Sequence, residues 1–273
     1  MKQTEKTPHI SDALEVATKA GYILLENGAE ISRVEETMNR IAKHFGVDTG
    51  NYFILSNGIF TTGKAKKIKK KNTSSLSEQF ADVKYIPLRG SRLDKVVLVN
   101  QLSRDIEQGK HTLESASNEL EKIDKLPAES KLVQTISSGI GSGFFCSIFG
   151  GGLQECLVSA FAGLVLWIFA LKVSIPHMSK LLGNMAGSFL AASICILAVK
   201  NGFGVSLGHT IIGAVISLVP GVAFTIGIRD IVGEDYLAGT TRLVDACVVF
   251  FGIAMGVAVA LLVFSKFFTS LEI

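Results

Sequence analysis

Few residues in the second half of this 273-residue chain could do acid–base or ion-pair chemistry, and they sit at telling places. After Lys131 the sequence carries six Lys/Arg and six Asp/Glu, against 21 and 18 up to that point. Arg229 and Asp230 follow an apolar run broken by Pro220-Gly221, and Arg242 and Asp245 come shortly after. Glu155 follows the triplet Gly150-Gly151-Gly152, and Asn184 lies inside another apolar run. Charges this close to a bilayer usually face a cavity or pathway rather than lipid. An arginine there can hold a carboxylate through paired hydrogen bonds, and a carboxylate in an apolar cavity can carry a coupled proton. Arg229 and Arg242 are therefore candidates for holding a substrate carboxylate, and Asp230, Asp245 and Glu155 for the proton. Asn184 is a candidate interhelical hydrogen-bond donor. A plain kink followed by a solvated loop also fits Pro220–Asp235, and a local Arg242–Asp245 ion pair also fits those two residues.

The elements that must position these groups are apolar and long. Five stretches follow Lys131: Leu132–Ile148, Leu153–Leu171, Leu181–Val199, Val205–Ile228 and Leu243–Phe264. Each falls in the range of about 17–25 residues that a helix needs to cross a bilayer. A mean hydropathy of +0.41 thus averages a water-soluble half with a very apolar one. The fourth stretch holds the Pro220-Gly221 break, which a membrane tolerates where protein or water satisfies the freed backbone. Secondary transporters use such interrupted helices at their substrate sites. Gly139/Gly143, Gly183/Gly187 and Gly252/Gly256 are spaced for close helix packing.

The first half reads as a separate domain. Apolar residues at helical spacing run from Ile10 to Phe45, with Gly28 between two runs and Gly46 ending the second. Tyr52–Thr62 and Val83–Leu88 read as strands, and Leu93–Ile106 and Leu113–Ile123 as helices before Pro127. The expected fold is a membrane protein: an N-terminal soluble α+β domain (1–130) followed by an all-α bundle of five transmembrane helices (131–273). The polar start lacks the apolar core of a signal peptide, and Lys172, Lys180, Arg229 and Arg242 favour one side of the membrane. This predicts a multi-pass inner-membrane protein with its N-terminal domain in the cytoplasm. Glu26, Glu30 and Arg33 stand one helical turn apart, as in an ion-paired surface. The run Lys64–Lys71 fits a solvated hairpin loop, then contact with anionic lipid, then nucleic acid, for which no recognisable module is present. The four cysteines lack metal-ligand spacing and read as small buried hydrophobes, with no metal or cofactor expected. The motifs of hydrolases, metalloproteases and phosphate-binding loops are missing, so an enzyme is not expected.

Three groups of residues carry a family resemblance. They are Glu26-Asn27-Gly28-Ala29-Glu30 followed by Arg33-Val34-Glu35 and Thr37-Met38, Leu93-Asp94-Lys95 through Val99-Asn100-Gln101-Leu102-Ser103-Arg104, and Leu218-Val219-Pro220-Gly221-Val222-Ala223 followed by Ile228-Arg229-Asp230. Taken in order they cover nearly the whole chain, which resembles the threonine/serine exporter (ThrE) family. The resemblance implies export, by antiport against protons, of small amino acids such as threonine and serine or of dicarboxylates such as succinate. With a single set of spans the chain resembles the larger, YjjP-like subunit of split variants. That implies a small multi-span membrane partner and a homo- or hetero-oligomer. Glu155 stands where the family usually has an aspartate, which keeps a carboxylate but lengthens its reach. The rival expectation is a regulatory or structural membrane subunit whose small partner forms the transport path.

Overall fold

A break at Gly28 divides the first helical region in two. The computed structural model describes residues 10–47, 50–64, 79–87, 90–203 and 206–267. α1 (Ile10–Glu26) is buried on almost every side, including Leu14, Ala17, Ile23 and Leu24, so it forms the centre of the first unit. α2 (Ile31–His44) is amphipathic and buries only Ile31, Val34, Thr37, Met38, Ile41 and Ala42. A side chain at Gly21 would meet Met38 Sδ at 2.3 Å, so the glycine lets α2 lie close to α1. α3 (Leu93–Glu107) and α4 (Leu113–Asp124) complete the helical layer. Thr112 caps α4, its hydroxyl accepting from the Ser115 N–H.

The sheet is antiparallel in the order β1-β2-β3, with β1 Gly50–Leu55, β2 Gly58–Lys64 and β3 Gln79–Tyr85. The single strand expected over Tyr52–Thr62 is in fact a hairpin. Leu55 pairs with Gly58, so Ser56-Asn57 forms a two-residue turn inside what the β-branched composition presented as one run. β3 begins and ends earlier than the expected Val83–Leu88. Ile54, Ile59 and Thr61 face the helices, and the Thr61 hydroxyl bonds that of Thr18 at 3.0 Å. Phe53, Phe60, Val83 and Tyr85 lie on the exposed face. Of the basic run, Lys64 ends β2 and the rest lies outside the described residues.

The remaining helices are α5 (Lys131–Ile148), α6 (Leu153–Phe169), the one-turn α7 (Ile175–His177), α8 (Lys180–Lys200), α9 (Leu207–Val215), α10 (Gly221–Val232) and α11 (Tyr236–Phe267). The chain divides into two compact units, 1–127 with 222–243 and 128–221 with 244–273. The first therefore takes in α10 and the start of α11, beyond the expected boundary at 130. Among the described residues three helical segments are long and apolar enough to span a membrane: Leu153–His177, Lys180–Lys200 and Tyr236–Lys266. A fourth arises only if Leu207–Leu218 and Gly221–Val232 count as one interrupted span. Five were expected. The missing one, α5, is helical but one-sided, exposing Leu132, Ile136, Ile140, Phe144 and Ile148 and burying Gly139, Ser142 and Cys146. Its serines, Gln134 and Lys131 lower its apolar character.

Small residues let the helices of the second unit meet closely. A side chain at Gly143 would lie 3.1 Å from Cys156 O, and one at Gly213 2.7 Å from Ser142 O, so α5, α6 and α9 touch through backbone. Gly252 and Gly256 do the same for α11 against α8, since a side chain at Gly256 would lie 2.2 Å from Met185 O.

Candidate functional site

The turn after α1 is a Schellman cap, in which two backbone bonds close the helix end. Gly28 N–H donates to Leu25 O at 3.1 Å and Ala29 N–H to Leu24 O at 2.9 Å, with Gly28 at φ +83°. Asn27 reinforces the cap by donating from Nδ2 to Ile23 O. This geometry leaves Ala29 O and the Ile31 N–H, at the start of α2, available to other partners.

A second cap of the same kind ends α10. Glu234 N–H donates to Ile231 O at 3.0 Å and Asp235 N–H to Asp230 O at 2.8 Å. Glu234 holds the left-handed position at φ +70°, where glycine would be unstrained. Gly239 then lets α11 turn back, since a side chain there would lie 2.7 Å from Gly227 O.

The two turns are joined by a buried ion pair. Asp230 Oδ1 accepts from the Ile31 N–H at 3.1 Å and Oδ2 accepts from Arg242 Nη1 at 2.8 Å. Arg242 Nη2 donates to Ala29 O at 2.9 Å. The side chains are 1% and 6% exposed. Both carboxylate oxygens and the guanidinium are thus satisfied, as a buried pair requires, and the carboxylate lies where the positive end of the α2 dipole favours it. Arg229, adjacent to Asp230 and pointing elsewhere, pairs with Glu30, whose Oε1 also lies 3.9 Å from Arg33. Asp235, in the turn, is pushed above the usual carboxylate range by burial.

These pairings correct one expectation. Arg242 and Asp245 do not pair locally. Arg242 turns to Asp230, while Asp245 pairs with Lys180 at the start of α8. The Asp230 contact also gives Arg242 a second acceptor, Ala29 O, which no local partner could supply. The expected Asn184 hydrogen bond is not made among the described residues. The Asn184 Cβ instead packs where a Gly252 side chain would be, at 3.4 Å, and its carbonyl accepts from Ser188.

The other named residues lie in the second unit. Glu155, buried in the first turn of α6, accepts the Ser206 N–H at the start of α9 at 3.2 Å. Gly150, at φ +97° in the turn before it, lies beside His209. At the other end of α9 the chain tightens through Ile216–Leu218, Val219 extends ahead of the proline, and Gly221 opens α10. Ser217 there shares a 2.7 Å hydrogen bond with Ser138 of α5, whose hydroxyl also reaches Gly163 O. Ser138, Ser217, Lys180 and the backbone groups of Ala29 and Ile31 carry no spacing signal in the sequence.

The model of the threonine/serine exporter family, ThrE, matches residues 15–264, which takes in both Schellman turns, the Pro220-Gly221 break and Glu155. The chain belongs to the threonine/serine exporter family. No curated protein and no solved structure matches it. The ThrE assignment makes it a membrane protein of a transporter family, with apolar helices to match. Within the matched span, the buried Asp230–Arg242 pair holds together the segments Glu26–Arg33 and Ile228–Arg242.

Proposed function

We propose that this chain is a subunit of a proton-coupled exporter of small amino acids such as threonine and serine, with dicarboxylates such as succinate as the alternative cargo. The observation that carries the reading is the interrupted segment Leu207–Leu218/Gly221–Val232 in a ThrE-family chain. At its break the hydroxyls of Ser217 and Ser138 share a hydrogen bond within the helical bundle. The buried carboxylate Glu155 sits at the far end of α9. A substrate would pass the Pro220-Gly221 break, and Glu155, Asp230 or Asp245 would carry the proton. Arg229, 63% exposed, is the more accessible cation for a substrate carboxylate, since Arg242 must first release Asp230.

Vesicles loaded with labelled threonine, serine or succinate test this. Efflux driven by a proton gradient is expected, lost in Glu155→Gln and reduced in Arg229→Ala variants that still reach the membrane. Undiminished efflux in both variants would remove these residues from the path. A second reading follows from the three or four candidate spans among the described residues, a short bundle for a complete path. In it the chain is a regulatory or structural subunit and a small multi-span partner in a hetero-oligomer forms the path. Reconstitution of the chain alone, against chain with partner, separates the two. On either reading the first-half domain belongs on the cytoplasmic side of the inner membrane.

A further inference from the structure

We infer that a cleft between α2 and α3 binds a small zwitterionic amino acid and reports its presence to the Arg229 segment. The cleft has a volume of about 290 Å³ and is lined by Glu30, Arg33, Glu36, Arg40, Asn100 and Arg104, with Ser32 and Thr37 between them. That is near the lower end of the ~300–1,000 Å³ typical of small-molecule sites, so it suits a compact ligand. Every one of these side chains is polar, and both charge signs are present.

The hydrogen bonds show which groups are already committed. Arg40 is fixed by Glu36, by Glu107 at 3.4 Å and by the Ser103 hydroxyl at 3.2 Å. Among the described residues Arg33 reaches only Glu30, at 3.9 Å, and is half exposed. Arg104 makes no side-chain hydrogen bond or ion pair among the described residues. These two guanidiniums therefore hold spare donors for a carboxylate. Glu30 and Glu36 each use only Oε1 among the described residues, which leaves their Oε2 atoms to accept from an ammonium. Thr37 donates its hydroxyl to Asn100 Oδ1 at 3.4 Å, so the Asn100 amide and the Thr37 oxygen remain for a short polar side chain. A dicarboxylate or an inorganic anion would satisfy the arginines but set a negative charge against Glu30 and Glu36. A zwitterion meets both walls.

Glu30 joins this cleft to the rest of the first unit. Its Oε1 is the partner of Arg229, so an ammonium that draws Glu30 toward the cleft competes with that pair. By linkage, whatever weakens the Arg229–Glu30 pair strengthens ligand binding. Binding itself does not depend on the proposed export function. Only its consequence for efflux rests on that reading.

Calorimetry and amide hydrogen exchange on the purified full chain, with L-serine, L-threonine, succinate and inorganic phosphate as probes, test the inference. Serine or threonine is expected to bind and to protect amides across residues 31–44 and 93–107. Arg104→Ala, at an exposed position and with circular dichroism checking that the fold is kept, is expected to weaken binding about tenfold or more. Arg229→Ala is expected to tighten it severalfold. Succinate or phosphate binding as tightly as the amino acids overturns the ligand class. Absent protection of the two helices, or protection unchanged in Arg104→Ala, overturns the site. Efflux assays on the same preparations report separately on export.

Discussion

Asp230 and Arg242 satisfy each other and two backbone groups, so removing one leaves an uncompensated charge in a dry place. Arg242→Met is expected to destabilise the protein by about 3–5 kcal/mol, whereas the Asp230→Leu/Arg242→Met double variant recovers most of that loss. A double-mutant cycle on unfolding midpoints measures the coupling. Tyr52 makes a second prediction. Its hydroxyl is buried without a hydrogen-bond partner among the described residues, and burial, aided by the Glu35 charge, pushes the phenol from 10.0 up to about 12. The folded state thus prefers the neutral phenol. The stability this supplies is complete below pH 10 and disappears as the pH rises toward about 12. Tyr52→Phe is expected to flatten stability across that window. It also gains up to ~1 kcal/mol at neutral pH by deleting the unsatisfied hydroxyl. Melting curves of both proteins from pH 8 to 12 check the difference (~4 pH units bracketing the shift).

At the scale of elements, close backbone approach and cap geometry decide what can change. A side chain at Gly256 would lie 2.2 Å from Met185 O, so Gly256→Ala must separate α11 from α8 and is expected to cost about 1–3 kcal/mol. Gly141, also in a helix but facing open space, supplies the control, because Gly141→Ala is expected to be neutral or stabilising. Glu234 occupies a left-handed cap position, and Glu234→Gly is expected to gain about 1 kcal/mol from relieved strain, less the added freedom of the unfolded chain. Thermal midpoints in one detergent rank the three. Helices were the most legible elements: Gly28 and Gly46 mark the ends of α1 and α2 because a helix commonly closes on a left-handed residue, which glycine adopts without strain. The Ser56-Asn57 turn was less so, since a two-residue hairpin hides inside a run of strand-forming residues. For α5, an apolar stripe passed for a whole span because its buried side, Gly139, Ser142 and Cys146, is small rather than charged.

Across the whole molecule, the first unit is discontinuous. Residues 222–243 belong with 1–127, and Ala238 is part of the same buried core as Leu14 and Met38. A fragment of residues 1–127 is therefore expected to melt lower than the same fragment supplied with a 222–243 peptide. The peptide should also restore exchange protection at the Ile31 amide. No rescue by the peptide would show that the core of the first half stands without it. The sequence alone determined the apolar helices, the polar first half and the short list of ionisable groups, because composition and periodicity are local properties, and its ordered motifs carried the resemblance to the exporter family. Only the tertiary structure decided which charge meets which. Ile31 and Asp230 are 199 positions apart, and two of the four groups in that cluster are a backbone N–H and a backbone carbonyl. Every residue but proline carries the first and every residue the second, so no side-chain pattern could announce them.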